Sequence, residues 1–192
     1  MKKWSLILIV IILGVLVALF FHFTGLWKTM SHEEFEGALE ITDVETKWVK
    51  KIYQPWPAKL TLAPSISFRV KNVSDTPLRY IYFNANFKFR DDFENLGDSF
   101  LAGIRGDPLN PGETSDVILM KSNYGVEGKS LASFKDNPHW QVVVVELFAK
   151  SQGSQYISLG KWEVSKEIDF KEPEPVGMEQ TEEKTEEKKG DL

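Results

Sequence analysis

Across residues 38–170 the apolar side chains recur at every second position, and a period of two puts alternate side chains on one face of a β-strand. Ile66, Phe68 and Val70 alternate with polar neighbours. Residues 72–77, NVSDTP, then supply turn chemistry, because Asn, Ser and Asp side chains bond their own backbone and Pro77 presets φ. Beyond the turn, Ile81, Phe83, Ala85, Phe87 and Phe89 share one face, with Tyr82, Asn84, Asn86 and Lys88 between them. Such a pair is a half-buried antiparallel hairpin, one face in a core and one in water.

The rest of this region reads in the same way. Leu39 and Ile41 alternate, and Val44, Thr46, Trp48 and Ile52 continue with a change of face, which predicts one long or bulged strand. Pro55, Pro57 and Pro64 lack ladder donors and mark a connection or a sheet edge. A glycine-rich loop precedes Leu109, Pro111 and Gly112 make a turn, and residues 117–120 read as a strand. Residues 121–140 carry no strong period, and a stretch of this length in a compact domain is either functional or holds a short element. The β-branched run 142–145 suits a strand buried on both faces, and Tyr156, Trp162, Val164, Ile168 and Phe170 complete a closing hairpin. With hardly any helical period, the expectation is an all-β fold, an antiparallel sandwich of two sheets and about 6–8 strands over residues 38–170.

The flanks differ in kind. Residues 6–21 are apolar apart from Gly14, and Lys2 and Lys3 precede them. With Trp4, Ser5 and Phe23 this approaches the roughly 20 residues a helix needs to cross a bilayer core. Residues 19–24 place no two small side chains at the spacing a signal peptidase needs, so residues 1–27 are expected to stay attached as a transmembrane anchor. Lysines before the run and Glu33, Glu34 and Glu36 after it put the N-terminus in the cytoplasm. Residues 28–37 are then a juxtamembrane linker. The expected localisation is the cytoplasmic (inner) membrane, single-pass, with the C-terminal domain periplasmic or extracellular. Residues 171–192 hold eight acidic and four basic residues and little to bury, which predicts a disordered tail carrying most of the net charge of -5. That charge speaks against a nucleic-acid partner, which requires a basic face. The absence of cysteine removes disulfides, thiolate nucleophiles and iron–sulfur ligation.

Val70, Asn72, Ser74, Pro77, Phe83 and Phe87, followed by Leu109, Pro111, Gly112, Glu113 and Thr114, form a pattern that resembles the small extracytoplasmic immunoglobulin-like modules of bacteria, the FxLYD type among them. The resemblance covers about 50 residues and rests on turn motifs. It implies an immunoglobulin-like sandwich outside the cytoplasmic membrane and a role in adhesion, scaffolding or complex stabilisation. It transfers no catalytic residue.

Residues able to carry chemistry are few. The three histidines, His22, His32 and His139, stand apart in sequence, and no G-x-S-x-G elbow occurs. Asp91, Asp92, Glu94 and Asp98 offer enough oxygens for calcium but lack EF-hand spacing. Arg105-Gly106-Asp107 reads as a turn before Pro108, and the glycosylation-like Asn72-Val73-Ser74 is accounted for by turn chemistry. Among the tryptophans, Trp56 between two prolines is the one expected to be exposed. Trp56, Tyr124, Phe134 and His139 are therefore the candidate partner surface, and no cofactor is expected. The leading expectation is a non-enzymatic, membrane-anchored accessory or scaffold subunit with an envelope protein as partner. The alternative is an extracytoplasmic ligand-binding module for calcium or glycan.

Overall fold

The structure, a computed structural model, describes residues 7, 11–19, 31–90 and 95–173. Residues 11–19 are helical. A second, five-residue helix α1 (His32–Glu36) opens with a capping box, in which Ser31 Oγ accepts from the Glu34 N–H at 3.2 Å and Glu34 Oε2 accepts from the Ser31 N–H at 2.9 Å. The helix buries Phe35 against the end of the core.

Nine strands follow among the described residues, in two sheets. The first is built on β1 (Leu39–Gln54) and β2 (Lys59–Asn72), paired antiparallel along almost their whole length. On the far edge of β2 lie β5 (Ile118–Lys121) and β6 (Val126–Gly128), and on the far edge of β1 lies β9 (Ile168–Asp169), the one parallel pairing among these strands. The second sheet has the order β4-β3-β7-β8, with β3 (Ile81–Phe89), β4 (Asn95–Ile104), β7 (Val143–Lys150) and β8 (Ile157–Glu163) all antiparallel. The sheets face one another across one apolar core, where Phe68 of the first meets Phe83 of the second edge-on at 5.3 Å. The all-β sandwich is thus present, with β1 a single strand bulged between Thr42 and Glu45 and between Lys50 and Ile52.

Several local expectations need correction. Residues 95–104 are not a loop but strand β4. Gly97 and Gly103 hide it by interrupting the apolar alternation, yet both are there for close approach: an added Cβ would come within 2.5 Å of the Phe83 ring at Gly103 and within 2.4 Å of Ser122 Oγ at Gly97. Pro64 lies inside β2 and not in a connection. Trp48, its partner on β1, sends its N–H the other way to the Glu167 carbonyl at 2.8 Å, so the side of Pro64 that lacks a donor also faces away from β1. It points to the place where β6 gives way to β5, and there its carbonyl accepts from the Ser122 N–H at 3.0 Å. The closing hairpin ends early as well. After Glu163 the chain leaves the second sheet and joins β1 as β9, guided by Thr46 Oγ1, which donates to the Glu163 carbonyl and accepts from the Ser165 N–H.

Residues 121–140 contain β6 and a 3-10 turn, Leu131–Phe134, the short element that the lack of period left open. The N-terminal anchor expectation falls mostly on residues 1–6, 8–10 and 20–27, outside the described residues, as do the first three residues of the expected linker and the tail from residue 174. Among the described residues no helix is long and apolar enough to cross a membrane.

One residue ties the turn motifs together. Asn72 is fully buried; its Nδ2 donates to the carbonyls of Thr76 and Leu109, and its Oδ1 accepts from the N–H and Oγ of Ser74. Its backbone N–H reaches the Glu113 carbonyl, and the Gly112 N–H reaches its carbonyl. A sugar cannot be placed on such a side chain. Asn72→Ala is expected to cost about 1–3 kcal/mol in denaturant unfolding, because it removes the side-chain bonds that join the turn to Leu109 and leaves the Ser74 N–H without its acceptor, while the Leu109 and Thr76 carbonyls keep the Leu78 N–H and the Ser74 Oγ. A loss well under about 1 kcal/mol would show that these bonds are not what holds the turn.

Candidate functional site

The unequal strand lengths leave an overhang at one end of the sandwich. β1 has 16 residues and β8 seven, and Thr46 already lies at the end of β8, so residues 49–63 of the β1–β2 hairpin run past the second sheet. The inner face of that overhang carries Leu60 and Leu62, both fully buried. They are covered by residues 126–140 folding back over them. Gly128 pairs with Leu60, and the Phe134 ring sits so close above Gly128 that a Cβ there would come within 2.9 Å of Phe134 Cε2. Trp140 packs on both Phe134, at 5.0 Å between ring centroids, and Trp48, at 4.2 Å. Phe134 is therefore withdrawn from the candidate partner surface: at 2% exposure it is a core residue, fixed there by the need to cover the overhang.

The other three expected surface residues are exposed. Trp56 occupies the turn between β1 and β2, with Gln54 Nε2 donating to its carbonyl at 2.9 Å, and is 88% exposed. Tyr124, in the connection between β5 and β6 at the edge of β2, is 65% exposed, with the Lys51 ammonium 5.9 Å from its ring centre. Lys51 also donates to the Asn123 carbonyl. His139 is exposed beside Asn137, whose Oδ1 accepts the His139 N–H. The structure thus groups Trp56, Tyr124 and Lys51 around the overhang.

Lysines at this end were not singled out from sequence. Between Lys47 and Lys59 there are four lysines and no acidic residue, a signal that was available. Lys47 pairs with Asp169 at 2.8 Å, a hydrogen bond that raises its pKa, and Lys59 pairs with Glu127 at 2.7 Å. Lys50 and Lys51 are different. Each ammonium lies over an aromatic ring, Phe170 and Tyr124 respectively, and neither has an ion pair among the described residues.

Of the calcium candidates, Asp91, Asp92 and Glu94 lie outside the described residues. Asp98 is exposed and committed to Asn123: its carboxylate accepts from Asn123 Nδ2 at 2.6 Å, while its backbone exchanges bonds with Asn123 Oδ1 and N–H. Among the described residues no three His, Cys, Asp or Glu side chains come together as metal ligands.

A second feature lies on the outer face of the second sheet, an open depression of about 420 Å³ crossed by ion pairs. Glu146 accepts from Lys88 at 2.8 Å and faces Lys161 at 3.3 Å, and Arg90 pairs with Glu163. The Lys88 hydrogen bond, with Lys161 behind it, holds the Glu146 carboxyl below its usual range against a smaller opposing effect of burial. These are part-exposed structural pairs that bind three strands across the face.

No protein-family model matches the chain. No curated protein matches it either. Among solved structures it is similar to a protein designated ApaA from Bordetella pertussis, at 12% identity over 67% of this chain and 93% of that one, with a TM-score of 0.38. It is also similar to the structural-genomics target SoR45, at 8% identity over 68% of this chain and 89% of that one, with a TM-score of 0.40. At these scores neither likeness says anything about activity.

The Glu146 pairing sets a pH dependence. Its folded pKa is lowered, so the stability it contributes is present above the unfolded value of about 4.5 and is lost as pH falls through the lowered value. The stability gap between the protein and Glu146→Gln, followed by denaturant unfolding at a series of pH values, is expected to be constant near neutrality and to close on the acid side of about 4.5. A gap that persists unchanged into that acid range would contradict the pairing.

Proposed function

We propose that this chain is a single-pass, membrane-anchored extracytoplasmic protein that displays an immunoglobulin-like sandwich as a non-enzymatic accessory or scaffold subunit of an envelope complex. The observation that carries the reading is the helical stretch 11–19. Its large apolar side chains, Ile11, Ile12, Leu13, Val15, Leu16, Val17 and Leu19, are between 44% and 62% exposed, on every side of the helix. A helix apolar all round is at home in a core or a bilayer, and among the described residues these side chains have no core around them. Lys2 and Lys3 on one side and Glu33, Glu34 and Glu36 on the other favour a cytoplasmic N-terminus.

The immunoglobulin-like assignment is supported by strand order. Read in chain order, β1, β2 and β5 take the places of strands A, B and E on one sheet, while β3, β7 and β8 take those of C, F and G, with β4 beside β3 as in the variable type. The anchor-proximal end is the one with α1, Asn72 and the start of β1. Sixteen residues at about 3.3 Å each carry the chain roughly 50 Å from there to Trp56. The anchored reading therefore holds the hairpin tip out from the membrane as the partner-facing end. Exposed aromatic side chains of this kind are favoured anchors for protein partners.

Full-length protein with a photo-crosslinking residue in place of Trp56, irradiated in intact membranes, is expected to give one discrete adduct. Trp56→Ala is expected to reduce co-purification of that partner at least tenfold while changing stability by less than about 0.5 kcal/mol, as for other exposed positions. Release of the protein by alkaline carbonate without detergent would overturn the anchor. Adducts from position 100 on β4 but none from position 56 would move the partner to the other sheet.

A further inference from the structure

The second sheet has two edge strands, β4 and β8, and they are finished differently. β8 carries Lys161 and Glu163, is bulged between Ser158 and Gly160, and gives its Glu163 carbonyl to Thr46 Oγ1. Charges, a bulge and a covering side chain keep a further strand off an edge. On β4 the six residues 99–104, SFLAGI, hold no charge and no proline. The other edges among the described residues are short: β5, β6 and β9 have four, three and two residues, with Lys121, Glu127 and Asp169 on them.

The register fixes which backbone groups of β4 are spare. The Arg90 N–H bonds to the Val142 carbonyl, so along β3 the even-numbered residues face β7 and the odd-numbered ones face β4. Ser99 and Leu101, opposite Ala85 and Phe83, are thus bonded to β3, and Phe100 and Ala102 turn their N–H and C=O groups away from it. Asp98 has the same phase: its N–H and carbonyl reach outward to Asn123, which closes the edge there. Beyond that point the two donors and two acceptors of Phe100 and Ala102 have no partner among the described residues. Phe100 is 58% exposed and stacks on Tyr82 at 6.0 Å, and Leu101, on the other face of the strand, is 38% exposed.

We infer that the free edge of β4 takes one extended apolar segment of a partner protein as an added strand, bonded through the backbone of Phe100 and Ala102. The spare groups define that chemistry, because donors and acceptors repeating at about 7 Å match the backbone of another strand. With no charge in 99–104, an ionic segment gains nothing from this edge. Ala102 is small, so a large apolar side chain opposite it can lie beside the rings of Tyr82 and Phe100. A second copy of this chain is the competing source of a strand. Antiparallel pairing of β4 with itself points the two molecules in opposite directions, which two chains anchored in one membrane cannot adopt. The choice of a foreign segment rests on the anchored reading to that extent; the open edge does not. The contact is separate from the one at Trp56.

Amide hydrogen exchange of the full-length protein in mild detergent, read residue by residue, tests it. In the free protein the Phe100 and Ala102 amides are expected to exchange roughly a hundredfold faster than those of Ser99 and Leu101. The probe is a set of capped peptides of about seven residues that alternate Val, Ile, Leu, Phe or Tyr with Thr. Binding members are expected to slow Phe100 and Ala102 roughly tenfold or more, and N-methylation of the peptide amides that face β4 is expected to abolish binding with every side chain unchanged. Ala102→Pro removes a spare donor without breaking a bond to β3 and is expected to weaken binding roughly tenfold. Phe100→Lys, which puts a charge on the edge, is expected to do the same, with circular dichroism showing that both variants are folded. Failure of the whole set to bind, or binding indifferent to N-methylation and to both variants, would overturn the proposal. Protection of Phe100 and Ala102 that rises with protein concentration in the absence of peptide would give the edge to a second copy and overturn the choice of partner. Peptide binding needs no membrane, so its failure is distinct from release of the anchor by alkaline carbonate.

Discussion

Two paired strands of 16 and 14 residues, set against a second sheet whose strands have seven to ten, are the constraint on which the molecule is built. A sandwich buries the inner face of each sheet with the other, so a hairpin longer than its facing sheet leaves apolar side chains without cover. Here those side chains are Leu60 and Leu62, and residues 126–140 supply the cover through β6, Phe134 and Trp140. The longest irregular stretch of the domain is thus occupied with packing. Gly125 shows how tight that packing is, since a Cβ there would lie 2.3 Å from the Leu62 carbonyl oxygen. What remains free is the tip itself, with Trp56 held out on a two-stranded stem whose base is inside the core.

Much of this was readable from residue order. The alternations in β1, β2, β3 and β7 locate their strands because each has one face in the core, and hydrophobic period two is the direct imprint of that burial. β4 escaped because Gly97 and Gly103 were chosen for close contact with another segment, which composition renders as a loop. Pro64 was read as a boundary for a sound local reason, the missing donor, but the strand places that gap where its neighbours on the far edge change over. β9 could not be seen, because two residues joining a strand about 120 positions earlier leave no period at all.

The candidate site divides along the same line. Trp56 was legible since flanking prolines force a turn, and turns expose what they carry. Phe134 was misjudged since its burial comes from the overhang, a relation between strand lengths in two sheets that no local pattern encodes. Lys50 and Lys51 lie over rings supplied by distant segments, Phe170 and Tyr124, so their setting has no local signature. Asn72 offers the converse case: its side chain joins the NVSDTP turn to the Leu109 carbonyl, so the two motifs that recur together in the sequence pattern are physically one junction.

Native-state amide hydrogen exchange across the β1–β2 hairpin tests most directly whether the overhang is a rigid stem sealed by residues 126–140. Amides of β1 and β2 that close the ladder at Leu60 and Leu62 are expected to exchange as slowly as those of Phe68 and Phe83 in the centre of the sandwich, with fast exchange confined to residues 55–58. Exchange of residues 49–63 as a block at the rate of the tip would contradict the account: the hairpin would then open independently of the core, and Trp56 would stand on no fixed platform.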